Sequence, residues 1–151
     1  KEAALFDEKS MPSQEGFNKL AQQLAQQQFH ALGGTGTDAK LGSAMSTSPN
    51  EYLSKLGNQG IIRLLKGNQD AIVAKNKEWI KWQRAGNSPS SYNEFSEWFN
   101  DHFDPRAFQF KYMSPKDRQS YLNKMPKDEQ EQFLNNLTYA RKKDWVNFQV
   151  K

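Results

Sequence analysis

The sequence predicts an all-α fold, a compact single domain of about eight to ten mostly short helices. Three Val, four Ile and four Thr are very few β-branched residues for a chain of 151, and β-sheets favour such residues. Apolar residues instead recur every three or four positions, as they do on the buried face of a helix. Gly, Pro and Ser stand between these stretches, where they cap helices and form short connections.

The composition indicates an aromatic core and excludes several classes of protein. Ten Phe, five Tyr and four Trp offer large apolar areas for burial, which a disordered chain lacks. No apolar run approaches the roughly 20 residues of a membrane-spanning helix. The absence of Cys excludes disulfide bonds, thiol catalysis and thiolate metal sites.

Most of the predicted helices have a start or a stop signal. Helix N-termini are predicted at three serines and one proline: Ser48, Ser91, Ser114 and Pro126. C-terminal caps are predicted at three glycines: Gly57, Gly67 and Gly86. The resulting helices span 2–9, 13–32, 38–45, 49–56, 58–66, 69–85, 92–103, 105–110, 115–124 and 127–143.

The connections between these helices are short, so we expect residues 1–151 to form one helical domain. The first residue is Lys rather than Met, and we therefore expect the C-terminal part of a longer chain, with 1–12 as a peripheral helix or linker. The helical periodicity predicts a core made of Phe17, Leu20, Leu24, Leu32, Leu53, Leu56, Ile62, Leu65, Ile72, Trp79, Phe95, Phe99, Phe108, Phe110, Leu122, Phe133 and Leu137.

Residues that resemble catalytic groups have simpler roles in this sequence. His30 and His102 are the only histidines, too few for a zinc site without Cys, and we expect structural or surface roles for both. Glu94, Glu97 and Asp101 share one helix face, but a glycosidase needs two carboxyls across a sugar cleft. We predict no catalytic, cofactor-binding or metal-binding residue, no enzyme activity, and a cell-wall hydrolase only as the least favoured alternative.

For the glycine-rich run from Gly33 to Asp38 we predict a turn between helices rather than a phosphate-binding loop. Phosphate-binding loops of this kind follow a strand, whereas a helix precedes this one. Either Thr37 or Asp38 is placed to cap the next helix.

A basic stripe with aromatic neighbours is the strongest binding signal. Lys77, Lys81 and Arg84 share a helix face near two tryptophans, and a second basic cluster lies before Trp145. Nucleic-acid grooves combine such phosphate contacts with base stacking. The candidate contacts are Lys77, Trp79, Lys81, Trp82, Arg84, Arg141, Lys142 and Lys143. A net charge of only +4 keeps a nucleic-acid-binding domain as the alternative, because lysines on the solvated face of a helix need no partner.

The segment 103–113 concentrates large apolar side chains. Asp104 is placed as an N-cap before Pro105, which starts a short helix. The segment belongs either in the core, which we favour, or on an exposed anchor for a neighbouring subunit. Under the second alternative the candidate partner interface is Phe108, Phe110 and Tyr112.

Several stretches together resemble the C-terminal region of an uncharacterised family of virion-associated proteins of tailed bacteriophages and prophages. They extend from about Phe17 to Trp145. The stretches comprise Gln28-Phe29, residues 31–38, Leu56-Gly57-Asn58-Gln59-Gly60, Leu64-Leu65-Lys66-Gly67-Asn68, Phe103-Asp104-Pro105-Arg106, Phe108-Gln109-Phe110 and Tyr112-Met113.

The resemblance implies a non-enzymatic structural module of the virion, in character an internal or DNA-ejection protein. Its expected partners are portal and tail components, and it is expected to form a homo-oligomer in the particle, with DNA as a further candidate partner. The implied locations are the virion, the bacterial cytoplasm during assembly and the host envelope on infection. The resemblance supplies no catalytic residue and no cofactor.

Overall fold

A computed structural model describes residues 13–33 and 49–148, which form six α-helices and one short 3-10 helix. They are α1 (Gln14–Ala31), α2 (Pro49–Arg84), the 3-10 helix (Pro89–Ser91), α3 (Tyr92–His102), α4 (Pro105–Phe110), α5 (Pro115–Asn123) and α6 (Lys127–Lys142). The described residues contain no strand, so the all-α prediction is confirmed, although the helices are fewer than predicted. The helices predicted over 2–9 and 38–45, the cap at Ser48 and the turn beyond Gly33 lie outside the described residues.

The helix count is lower because α2 continues through a predicted break. Gly57 has φ 70° and ψ 170° and kinks the helix there, as predicted. The predicted end at Gly67 is wrong, since the helix runs on from 58 to 84. A Cβ on Gly67 would lie 3.1 Å from the backbone of Phe108 and Gln109. This glycine therefore allows α4 to approach the middle of α2 closely, and it ends no helix.

The predicted N-terminal caps differ in what their side chains do. The Ser114 hydroxyl accepts the backbone N–H of Asp117 at 3.1 Å, and the Asp104 carboxylate accepts that of Arg106 at 3.0 Å. Ser91 precedes α3 as predicted but forms no capping bond, because its hydroxyl accepts the indole N–H of Trp82 at 2.8 Å. The caps at Ser114 and Asp104 are confirmed, whereas Ser91 connects α2 to the start of α3.

A small aliphatic cluster holds α1 against the N-terminal half of α2. Its buried members are Phe17, Ala21, Ala25, Leu53, Ile61, Leu64 and Leu65. Gln28 is buried beside them and donates its amide N–H to the backbone carbonyl of Leu65 at 2.9 Å. Alanines on α1 allow the two helices to pack closely along this side.

A larger aromatic cluster joins the C-terminal half of α2 to the rest of the described chain. Its buried members are Leu32, Ala71, Ala74, Phe95, Phe99, Phe103, Ala107, Phe108, Phe110, Phe133, Leu137, Ala140, Trp145 and Val146. The Phe99 ring stacks on Phe103 with centroids 5.5 Å apart and lies 4.9 Å from Trp145. The two clusters thus share α2 as their common helix.

The core prediction is confirmed at ten positions: Phe17, Leu32, Leu53, Leu65, Phe95, Phe99, Phe108, Phe110, Phe133 and Leu137 are buried. Seven others are only half-buried: Leu20, Leu24, Leu56, Ile62, Ile72, Trp79 and Leu122. The buried face of α2 instead takes Ile61 and Leu64, and that of α1 takes Ala21 and Ala25. On α1 the small Ala21 and Ala25 fill the buried face because α2 lies close, which periodicity alone does not reveal.

Candidate functional site

The C-terminal half of α2 carries most of the predicted nucleic-acid contacts and divides them between two faces. Trp79 packs against Tyr92 with centroids 4.9 Å apart and also contacts Phe95. Trp82 contacts Phe95 and Trp98, and Ser91 accepts its indole N–H. Both indoles are therefore engaged within the aromatic cluster, whereas Lys77 and Lys81 of the same helix are exposed.

A cleft of about 200 Å³ lies along the exposed side of this helix. Four lysines line it, namely Lys77 and Lys81 of α2, Lys111 after α4 and Lys143 after α6. The rest of the lining is Asp70, Val73, Ala74, Glu78, Asp144, Trp145 and Asn147. The fold thus brings Lys143, from the second basic cluster, to the stripe on α2.

A buried carboxylate shapes one wall of the cleft. Glu78 accepts the indole N–H of Trp145 at 3.0 Å and lies 3.5 Å from the ammonium group of Lys81. Asp144 takes the left-handed conformation just before Trp145, with φ 62°, and this turn directs the chain back towards α2. Because Glu78 is buried, the two donors serve to satisfy its charge.

A second carboxylate, Asp70, organises the opposite end of the cleft. It accepts the phenol O–H of Tyr112 and lies 3.5 Å from the Lys111 ammonium group. Burial, together with the hydrogen bond to Asp70, raises the pKa of Tyr112 far above its ordinary value. The phenol therefore remains a neutral donor, and this carboxylate neutralises part of the positive charge of the cleft.

The second basic cluster does not act as one surface. Lys143 lies over Trp98, with its Nζ 5.5 Å from the ring centroid. Arg141 lies over Phe148 at 5.6 Å, and Lys142 is exposed. Only Lys143 of these three lines the cleft, and Arg84 on α2 also lies outside its lining.

The candidate partner interface lies largely inside the molecule. Phe108 and Phe110 are buried in the aromatic cluster, which is the placement that we favoured over an exposed anchor. Tyr112 is half-buried and is fixed to α2 through Asp70. The physical reason is the close approach of α4 to Gly67, which presses this segment onto α2.

The histidines and the acidic trio have ordinary surroundings. His102 stacks on Tyr139 with centroids 4.7 Å apart, and its Nδ1 lies 2.8 Å from the backbone carbonyl oxygen of Trp98. His30 is exposed in the last turn of α1. The carboxylates of Glu94, Glu97 and Asp101 are exposed along α3. In the ranges 13–33 and 49–148, no three His, Asp or Glu side chains are grouped so as to hold a metal ion.

Two polar centres were not predicted. Asp104 is buried, forms a two-point ion pair with Arg106 and accepts the amide of Asn136 at 2.9 Å. This hydrogen-bonded pair raises the pKa of the Arg106 guanidinium. The second centre is Lys75, which is 3% exposed and donates to the Ser96 hydroxyl at 3.2 Å. Burial lowers the pKa of Lys75.

The sequence offered a signal for only one of these centres. The Asp-Pro-Arg stretch identified the cap at Asp104, and the ion pair follows from the same two residues. Nothing in the spacing of Lys75 distinguishes it from the exposed lysines two and six residues later.

Comparison of the chain with protein-family models, with curated proteins and with solved structures found no match. Among the described helices, none is long and apolar enough to cross a membrane.

Proposed function

We propose that this chain is a non-enzymatic structural and interaction module of a tailed-phage particle, acting as an internal or DNA-ejection protein that docks on portal or tail components. The sequence resemblance from about Phe17 to Trp145 motivates the phage setting. The observation that carries the interaction role is the exposed face of α2, where aliphatic side chains alternate with lysines.

This face differs from an ordinary solvated helix face. Val73 and Ile80 are 42% and 46% exposed, and their spacing of seven residues places them two turns apart on one side of α2. Lys77 and Lys81 stand between and beside them. Aliphatic groups within a ring of charges suit a protein partner, which covers the apolar area and pairs the cations at the rim.

The proposed role places the chain in the virion, in the bacterial cytoplasm during assembly and at the host envelope if it is ejected. Particle components act in symmetric copies, so a homo-oligomer is part of the proposal. A module of this kind needs no catalytic group, and its function depends on the surfaces that it presents.

Mass spectrometry of purified particles tests the proposal. The particles are those of the phage or prophage that encodes this chain, and emptied ghosts are measured beside full particles. Presence in full particles and loss from ghosts supports ejection, whereas presence in both supports a fixed structural part. Absence from both, with capsid and portal peptides detected as internal controls, overturns the virion role.

Cross-linking of the same particles tests the docking surface. Lysine-reactive cross-links from Lys77 or Lys81 to portal or tail proteins are expected, because both lysines are exposed at this face. Lys116 and Lys124, which are exposed on or beside α5, serve as the comparison. Links from the α5 lysines alone would contradict docking through α2.

A nucleic-acid-binding domain is the second candidate, and the convergence of four lysines on one cleft favours it. Two observations favour a protein partner instead. Trp79 and Trp82 contact other rings of the cluster, and Asp70, Glu78 and Asp144 place negative charge in the same cleft. A phosphate bound in the cleft would be attracted by the lysines and repelled by these carboxylates.

Salt dependence separates the two candidates. If the lysines neutralise phosphates, DNA affinity falls with a log–log salt slope of about −0.7 to −0.9 per contact. Replacing Lys77, Lys81 and Arg84 together by Ala should then flatten the slope by about two to three units. The matched control replaces the exposed Lys116, Lys124 and Lys127 by Ala, which changes net charge equally. Fluorescence anisotropy with short single- and double-stranded DNA measures the salt slope of the wild type and of both triple variants. A module that binds only proteins should show little DNA binding at physiological salt.

A further inference from the structure

The acidic side chains of α3 form an exposed stripe. Glu94, Glu97 and Asp101 are exposed and are separated by three and then four residues, so they share one face of the helix. None of them forms an ion pair with another residue in 13–33 or 49–148. Their charges are available to a partner.

The basic stripe of α2 has the same length and the reverse spacing. Lys77, Lys81 and Arg84 are exposed and are separated by four and then three residues. Lys77 and Arg84 form no ion pair with any residue that the structure describes, and Lys81 pairs only with Glu78. At 1.5 Å per residue each stripe is about 10 Å long.

We propose that these two stripes bind each other between copies of the chain, with α2 of one copy antiparallel to α3 of the next. In this orientation Lys77 faces Asp101, Lys81 faces Glu97 and Arg84 faces Glu94. Reading α3 backwards gives separations of four and then three residues, so the cations and carboxylates coincide in register. A parallel arrangement would displace the middle pair by one residue.

The pairing is between molecules because the fold uses the other sides of these helices. Within one chain α2 and α3 contact each other through Trp79, Trp82 and Phe95, while both charged stripes remain exposed. A two-fold dimer would form this contact twice, and in any other arrangement the contact is heterologous. Repetition of such a contact closes into a ring or extends as a filament.

A second copy suits this surface better than a nucleic acid. The apolar Ile80 lies within the basic stripe and Val73 lies one turn before it, and a phosphate backbone offers no apolar group to cover them. The two stripes of neighbouring copies are thus complementary in charge and in spacing.

This inference rests on the proposed role as an interaction module, since it names one partner as a second copy. Exposed ion pairs contribute little each, so the contact is weak for a single pair of molecules and depends on salt. Analytical ultracentrifugation of the full chain should therefore show association that rises with concentration into the millimolar range at low salt. The association should disappear at high salt.

Charge reversal tests the pairing directly. The variant K77E/K81E/R84E and the variant E94K/E97K/D101K should each weaken self-association by about tenfold or more. An equimolar mixture of the two should associate again, and so should the chain that carries all six changes. Only complementary stripes predict this recovery.

Two controls separate the surface from net charge and from folding. Reversal of Lys116, Lys124 and Lys127 to Glu changes net charge as the first variant does and should leave association unchanged. Circular dichroism verifies the helices of every variant. If reversal at Glu94 weakens the start of α3, the neutral variant E94Q/E97Q/D101N replaces it and should still reduce association.

Three results would overturn the inference. One is a monomeric wild-type chain at all concentrations at low salt. Another is loss of association from the basic variant but not from the acidic variant, which would assign the basic stripe to a different acidic surface of the second copy. The third is a mixture that fails to associate although each variant is folded. None depends on whether the chain is found in particles, so this inference and the proposed function can fail separately.

Discussion

The two hydrophobic clusters on α2 stabilise the molecule in different ways. The aliphatic cluster between α1 and the N-terminal half of α2 has one aromatic ring, Phe17, among its buried members. The aromatic cluster around the C-terminal half combines rings from α3, α4 and α6 with Trp145. The first fills space with alanine and branched side chains, while the second adds edge-to-face and stacked ring contacts to the area it buries.

The difference shows where polar groups can be tolerated. Around the aromatic cluster, indole N–H groups and phenol O–H groups reach the carboxylates or hydroxyls of Glu78, Asp70 and Ser91. The aliphatic cluster has no such groups to offer. The buried side-chain oxygens of Gln28, beside that cluster, and of Asn100, on α3, both lack a hydrogen-bond partner among the described residues. Aromatic side chains thus allow the C-terminal half to carry charged groups at its edge, where the cleft forms.

The largest expected effect comes from breaking the aromatic cluster. Phe99→Ala empties a fully buried ring site and should lower the free energy of unfolding by about 3–5 kcal/mol. Urea unfolding followed by circular dichroism measures the change. A loss below 1 kcal/mol, with the helices retained, would show that the surrounding rings collapse into the space.

Breaking the aliphatic cluster should have a smaller and more local effect. Leu65→Ala should cost about 2–5 kcal/mol, because Leu65 is fully buried between α1 and α2. Amide hydrogen exchange should accelerate most in α1 and least in α6, which contacts only the other cluster. Equal acceleration in both helices would mean that the two clusters unfold as one unit.

The hydrogen bond at the edge of the aromatic cluster tests whether its polar groups matter. Trp145→Phe retains a ring but removes the N–H that reaches Glu78, and it should cost about 1–3 kcal/mol. The double variant Trp145→Phe with Glu78→Leu should recover part of that loss, because no buried carboxylate then lacks its donor. Thermal unfolding of the wild type, the two single variants and the double variant gives the coupling free energy between Trp145 and Glu78. Additive losses would contradict a direct interaction.

The smallest effect is expected at Lys75, the charged residue buried beside the aromatic rings. Burial lowers its pKa, so the unfolded chain binds more protons and stability rises as the pH approaches 10.5. Lys75→Met should stabilise the protein by up to about 1 kcal/mol near neutral pH and abolish this rise. The free energy of unfolding is measured against pH for the wild type and for Lys75→Met. The difference between the two curves gives the contribution of Lys75, because both chains retain Tyr112. A variant that is less stable than the wild type would show that the lysine has a compensating role.

Local signals in the sequence predicted much of the fold. Ser114 and Asp104 cap their helices as expected, and Gly57 breaks α2, since each depends only on the few residues around it. Gly67 could not be interpreted in the same way. Whether a glycine ends a helix or receives another backbone depends on α4, which lies some forty residues later.

The candidate site was predicted only in part for a similar reason. Lys77 and Lys81 were identified from helical spacing, and the structure places them on the cleft. Lys111 and Asp70 were not, because their places in the cleft depend on where α4 crosses α2. Helical periodicity placed Trp79 in the predicted core, but it did not place Trp82 there, and the contact of Trp82 with Trp98 depends on the position of α3.

The bond between Glu78 and Trp145 joins residues 67 positions apart, and this separation has a consequence for synthesis. The ribosome delivers α1 and the N-terminal half of α2 first, so the aliphatic cluster can form while later residues are still being added. Glu78 receives its indole donor, and the aromatic half of the molecule its last rings, only when residues 145–148 leave the tunnel. The C-terminal half of α2 carries two tryptophans that stay uncovered until α3 has emerged. During that interval the exposed indoles are the part of the nascent chain most open to a chaperone.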